Sequence, residues 1–259
     1  MTDPREYHVG MIVPSSNLTM ETELPRILAR VTEADPSRRF VFHSARARMR
    51  HVTPEQLRAM NAEAERAAAE LADARPDVVA TACLVAIMAQ GPGYHSTAEE
   101  SVAAVLRSEG AQAPVVSSAG ALLKGIAALQ ARRVAIITPY LRPLTQAVTG
   151  YLEDAGTEVV DSASLEVPDN LAVARLDPAD LHRHWRQLDL SRADALVLSA
   201  CVQMPSLPVL QAVEDDAGLP VLSAATATAY SILTELGLPP RVPGAGALLR
   251  GDLTAGAVR

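Results

Sequence analysis

The chain of 259 residues is long enough for one large or two small domains, and its 49% hydrophobic residues supply a full core. Thirty acidic against 23 basic side chains leave a net charge of -7, so a phosphate backbone finds no broad electrostatic support and nucleic acid is excluded as a partner. The start MTDPREYHVG lacks an apolar signal core, and no apolar run approaches the ~18 residues of a membrane span; a cytoplasmic protein with no membrane partner is expected.

Short β-branched runs alternate with Ala/Leu/Glu-rich segments, the pattern of parallel sheets covered by helices. HVGMIVPSSN reads as a strand that breaks at Pro14. Ser16 or Asn17 can then cap a helix whose first turns contain Thr19, Glu21 and Glu23. FVFHSARARM is a second strand, the cluster Arg46, Arg48, Arg50 and His51 reads as a solvated loop, and Thr53 opens a helix running to about Ala74. PDVVATACLVA is a third strand, and APVVSSAGALLKGIAAL a fourth with its helix.

The series then starts again. RRVAIITPYLRPL repeats the opening strand and its proline break, TEVVDSASLEVPDN is a second strand with a long loop, ADALVLSACVQM matches the third, and LPVLSAATATAYSILTEL matches the fourth with its helix. Val9 falls on Val134, Cys83 on Cys201 and Pro114 on Pro220. The expected fold class is α/β, with two Rossmann-like halves related by a pseudo-twofold axis. Each half is a parallel four-stranded sheet flanked by helices, and the active site lies in the cleft between them. The division is 1–125 and 126–259, with segment 228–259 able to pack back on the first half.

Cys83 and Cys201 are the only cysteines, too few for a disulfide framework, and both sit at carboxyl ends of strands, where open parallel sheets bind ligands. A single cysteine there is more often a small packed hydrophobe. Two of them at equivalent positions of a duplicated half point instead to a facing catalytic pair. A helix start after each can lower a thiol pKa from about 8.5 toward neutrality. No metal site is expected: the histidines are scattered, His182 and His184 do not share a helix face, and neither CxxC nor HExxH occurs. Gly244-Ala245-Gly246 and Gly91-Pro92-Gly93 are poor matches to nucleotide-binding loops.

Facing thiols suit proton exchange at a carbon centre or covalent addition assisted by the second thiol, so racemase and isomerase chemistry both fit. The expected rim of the cleft is uncharged: Pro14–Asn17, Ser117–Gly120, Thr138–Tyr140 and Pro168–Asn170 offer hydroxyls, amides and helix-start N–H groups to a small carboxylate. Lys124 and Arg142 could help attract it.

VPSSN (Val13 to Asn17), ACLVA (Ala82 to Ala86), SSAGAL, TPYLRPL, the Asn170 loop, ACVQMPSLP (Ala200 to Pro208) and VPGAGALL (Val242 to Leu249) closely resemble bacterial maleate cis-trans isomerase, of the aspartate/glutamate racemase superfamily. The resemblance implies conversion of maleate to fumarate without a cofactor. It assigns Cys83 as nucleophile, forming a succinyl-cysteine, and Cys201 as acid/base partner. Asn17, Tyr140 and Asn170 would hold the carboxylates, helped by backbone N–H groups of Leu84, Val85, Val202 and Gln203. Apolar Leu84, Val85 and Val202 suit an alkene and reject the ammonium of an amino acid. Cys83 stands where the sister arylmalonate decarboxylases have glycine, which argues against decarboxylation. A homodimer is expected. The alternatives are an amino-acid or hydroxy-acid racemase on the same scaffold and a non-catalytic small-carboxylate binding protein.

Overall fold

The computed structural model describes residues 4–251. Its first sheet is built from β1 (Arg5–Pro14), β2 (Arg38–Ala47), β3 (Val78–Thr81) and β4 (Val115–Ser117), with α1 (Met20–Ala34), α2 (Pro54–Ala72), α3 (Leu84–Met88), α4 (Tyr94–Ser108) and α5 (Ser118–Ala128) between and after the strands. The second sheet has β5 (Arg133–Thr138), β6 (Glu158–Ser164), β7 (Ala195–Ser199) and β8 (Val221–Ser223). Its helices are α6 (Arg142–Asp154), α7 (Asn170–Ala174), α8 (Leu181–Trp185), α9 (Leu207–Ala217) and α10 (Ala224–Glu235). All pairings are parallel, in the orders β2-β1-β3-β4 and β6-β5-β7-β8.

The duplication extends to single hydrogen bonds. Val79 N–H donates to the Pro114 carbonyl at 2.9 Å and Leu196 N–H to that of Pro220 at 2.9 Å. Ala82 N–H reaches Ile12 O at 3.0 Å and Ala200 N–H reaches Ile137 O at 2.9 Å, so each cysteine follows a residue pinned to the same point of its central strand. Half-buried Asp77 and Asp194 repeat as well: each carboxylate accepts the backbone N–H of the adjoining central strand, from His8 and Arg133. Central strands with both faces covered are apolar runs, as in β3 and β7, where every residue is buried.

Helix α1 buries Met20, Leu24, Ile27, Leu28 and Val31, one stripe at helical spacing, while α10 is buried nearly all round and built from small residues. Ser223 and Thr226 close a reciprocal capping box at its start. It packs chiefly on α5 and α1, next to the first sheet rather than its own. Close approach is possible because Gly125 has no side chain; a Cβ there would lie 3.0 Å from Leu248 and 3.2 Å from Ala227.

Two local expectations differ from the structure. The second strand stops at Ala47 rather than running on to Met49, so of the basic cluster only Arg46 lies in β2, paired with Val13 of β1. The second helix stops at Ala72 rather than Ala74, where Ala74 and Arg75 turn back on Leu71 and Ala72. Among the described residues no helix is long and apolar enough to cross a membrane.

Candidate active site

Cys83 follows β3 and is the N-cap of α3; Cys201 follows β7 and starts the loop into α9. The strand ends bring both thiols to one cavity, lined also by Pro14, Asn17, Met49, Val52, Leu84, Val85, Tyr140, Asn170, Val202 and Gln203. All nine residues singled out from the sequence therefore meet in one place. Only about 10 Å³ remains open there, room for about one water molecule. The cleft is closed, and a substrate enters only if part of its cover, such as Met49 and Val52, moves. A larger hollow of about 340 Å³ lies between α2, α3 and α4, and neither cysteine lines it.

The first clamp is the β1–α1 turn. Asn17 Oδ1 accepts the N–H groups of Thr19 and Met20, both at 2.9 Å, so Asn17 rather than Ser16 caps α1. Its Nδ2 has no protein partner among the described residues and remains available as a donor. Arg46 donates to the Ser15 carbonyl at 2.9 Å and pairs with Glu21, which makes the basic cluster a brace for this turn. Ser15 Oγ holds the cover, accepting from Met49 N–H at 3.0 Å.

The second clamp comes from the other half. Asn170, at the start of α7, donates from Nδ2 to Ser16 Oγ at 2.7 Å. Tyr140 is buried, and its hydroxyl lies 3.5 Å from the Ala200 carbonyl, the limit of a hydrogen bond, and against the Cys201 thiol. It is a donor to ionised Cys201, whose pKa it lowers. Burial pushes the phenol itself well above its usual pKa, so it stays protonated.

The thiols contradict one expectation. Cys83 was to be held near neutrality by its helix start, yet burial and then the neighbouring Cys201 push it up to about 12. The amides of Ala86 and Val85 pull the other way and lose. Burial raises Cys201 too, against Tyr140 and the amides of Gln203 and Met204. Desolvation of an anion in this small cavity outweighs the two amide contacts each thiol has, and for Cys201 the Tyr140 hydroxyl besides.

Two further sequence assignments change. Ser117 faces away from the cavity: its N–H and hydroxyl both meet Glu99, at 2.9 and 2.5 Å, so the Ser117–Gly120 segment is no part of the rim. Lys124 pairs with Glu235 at 2.8 Å and Arg142 with Glu166 at 3.5 Å; neither lines the cavity, in keeping with a sequence reading that placed them outside the residues touching a substrate. The Gln203 N–H points at Cys201 Sγ, 3.4 Å away, and is not free for a substrate. Its side chain, which sequence reasoning did not use, instead bonds Leu18, Ser16 and Asn170. Pro14, expected on the rim, lines the cavity, whereas Met49 and Val52 were missed: nothing in the period of the sequence marks either as facing a cleft.

A family model described as arylmalonate decarboxylase matches residues 9–249, which places both halves and the cleft between them in one class of α/β enzymes. Within that class the similarities are narrower. Maleate isomerase of Geobacillus stearothermophilus is 56% identical over 247 residues, covering 95% of this chain and 98% of the relative. A solved structure of a cysteine-to-alanine variant of the Pseudomonas putida S16 maleate isomerase with maleate superposes with a TM-score of 0.94 at 50% identity, covering 96% of this chain and 99% of that one. A cysteine-to-serine variant of Nocardia farcinica maleate cis-trans isomerase, solved with a covalently bound succinylcysteine intermediate, gives 0.92 at 52% identity, covering 96% and 100%. The chain belongs to the maleate isomerase family of cis-trans isomerases.

Proposed function

We propose that the protein converts maleate to fumarate through a succinyl-cysteine on Cys83, with no cofactor. The observation that carries this reading is that the chain's two cysteines line one closed cavity with Asn17, Tyr140 and Asn170. Cys83 loses its thiol proton as its sulfur bonds to one alkene carbon. Cys201 donates a proton to the other and regains one, so S–H has been added across the double bond. The former double bond is now single and rotates; elimination by the reverse transfers releases the trans diacid and restores both thiols.

Asn17 and Asn170 hold the two carboxylates, and Tyr140 donates to the charge that addition spreads into one of them. Leu84, Val85 and Val202, which line the cavity, present apolar surface to the alkene, and their backbone N–H groups assist the carboxylates. A racemase would need polar groups for an ammonium at those positions. The halves 1–125 and 126–259 supply one thiol each, and the described part of 228–259, through Gly251, braces the first; the remainder of that segment lies outside the described residues. A cytoplasmic homodimer is part of the same reading.

The test is incubation with maleate, with the vinyl protons followed by NMR. Fumarate formed by the parent and not by Cys83→Ser is the expected result. Unchanged maleate with folded parent protein overturns the proposal, and deuterium exchange at the α-carbon of amino and hydroxy acids would then select the racemase.

A further inference from the structure

The loop Cys201–Ser206 joins β7 to α9 in the second half, yet much of what holds it belongs to the first. On its own side, Ser199 Oγ lies 2.9 Å from the Cys201 carbonyl and 3.0 Å from that of Met204. Across the cleft, Thr19 Oγ1 donates to the Gln203 carbonyl at 2.7 Å, Leu18 N–H to Gln203 Oε1 at 2.9 Å, and Gln203 Nε2 to the Ser16 carbonyl at 2.9 Å. Glu23 of α1 ends the series. Its Oε1 accepts the N–H groups of Ser206 and Leu207 at 2.7 and 2.8 Å, although only 3% of the residue is exposed.

Those two N–H groups are the unpaired donors at the start of α9. Ser206, the N-cap of α9, offers no side-chain bond to them. A carboxylate from another helix, in the other half, takes that place. The arrangement is costly, since burial pushes the Glu23 carboxyl up against the pull of the two amides and Arg26. Glu23 Oε2 and Ser206 Oγ are moreover buried without partners.

The pseudo-twofold mate carries a counterpart of different chemistry: Tyr151 of α6, in the second half, accepts the His95 N–H at 3.1 Å near the start of α4, and its hydroxyl lies 2.6 Å from the His95 ring nitrogen. There α3, which follows Cys83, packs on α6 without any side-chain hydrogen bond between the two among the described residues, and Gly93, the N-cap of α4, offers no side-chain bond. Both sides are thus fastened across the halves, but of these two straps only the one beside Cys201 is a buried carboxylate that takes two backbone amides of the segment following the cysteine.

We propose that Glu23 is a positioning residue: by capping α9 from the opposite half it fixes the Cys201–Ser206 loop, and with it the second thiol, across the cleft from Cys83. This rests on the reading of Cys201 as acid/base partner, and it assigns Glu23 no contact with substrate. A proton donor displaced by about 1 Å costs on the order of 10²-fold in rate, while substrate held by Asn17 and Asn170 still binds.

The experiment compares the parent with Glu23→Gln and Glu23→Ala at a temperature well below unfolding. It reads kcat and KM for maleate and, in a Cys83→Ser background, the rate of Cys201 alkylation by iodoacetamide. Glu23→Gln keeps an oxygen for both amides and is expected close to the parent in every reading. Glu23→Ala is expected to lose about 10²-fold in kcat with a smaller change in KM, and to alter the alkylation rate. A folded Glu23→Ala with the parent's kcat and alkylation rate, and only a lower melting temperature, overturns the proposal. If Glu23→Ala does not fold, Glu23→Asp, one methylene short, replaces it: a lower kcat and changed alkylation support the role, and parent values overturn it. If the parent itself fails to convert maleate, the isomerase reading falls separately, and alkylation alone decides the role of Glu23.

Discussion

Cys83 is the sulfur on which the proposed chemistry depends, and the closed cleft holds it as a neutral thiol. Burial and then Cys201 push its pKa up to about 12 from 9.0, a preference of roughly 4 kcal/mol for the protonated form. At about pH 7.5 the thiolate fraction is then on the order of 10⁻⁴ or below, against about one tenth for a free thiol. Alkylation of Cys83 by iodoacetamide, followed by peptide mass spectrometry from about pH 7 to 10.5, should run more than about a thousandfold slower than a free thiol at the low end. It should climb about tenfold per pH unit without a plateau below about pH 10. Cys201→Ser removes the second cause and should shift the profile to lower pH, still above a free thiol because burial is the larger cause. A plateau below about pH 8.5 would refute the reasoning. It would mean that the amides of Val85 and Ala86 outweigh desolvation and that a thiolate is stored at rest.

Cys201→Ser incubated with maleate should accumulate protein heavier by one maleic acid, located on Cys83 by intact-mass and peptide analysis, because the proton transfers that release product are impaired; no adduct with the parent's turnover would remove Cys201 from the mechanism. Tyr140→Phe deletes one hydrogen bond to a developing charge, worth about 1.5–3 kcal/mol, and should lower kcat/KM about 10- to 100-fold in steady-state assays. Gly246→Ala should destabilise the fold by about 1–3 kcal/mol in urea titration, because φ there is +80° and a Cβ would lie 2.6 Å from the Val221 carbonyl oxygen. An unchanged midpoint would show that this turn relaxes.

The duplicated order of elements, both parallel sheets and the meeting of Cys83 with Cys201 were all legible in the sequence. The reason is physical: strands buried on both faces must be apolar runs, prolines and capping residues mark their ends, and a repeated half places equivalent residues on either side of a twofold cleft. Asn17 and Tyr140 stood in rim segments just past strand ends, and the family resemblance singled them out together with Asn170, which opens α7. What a strand-end position cannot reveal is which way a neighbouring loop leans. Ser117 had the composition of a rim residue but was claimed by Glu99 from α4, and the Gln203 N–H was claimed by a sulfur two residues earlier.

Tertiary structure alone decided the protonation of the thiols and the fastening of the second one. A pKa depends on how much water reaches the sulfur, which is set by distant Met49 and Val52 closing the cleft as much as by the helix start beside it. Glu23 reads in the sequence as an ordinary acidic residue in the first turn of α1. Only the packing of the two halves turns it toward the unpaired amides of α9, more than 180 residues away along the chain.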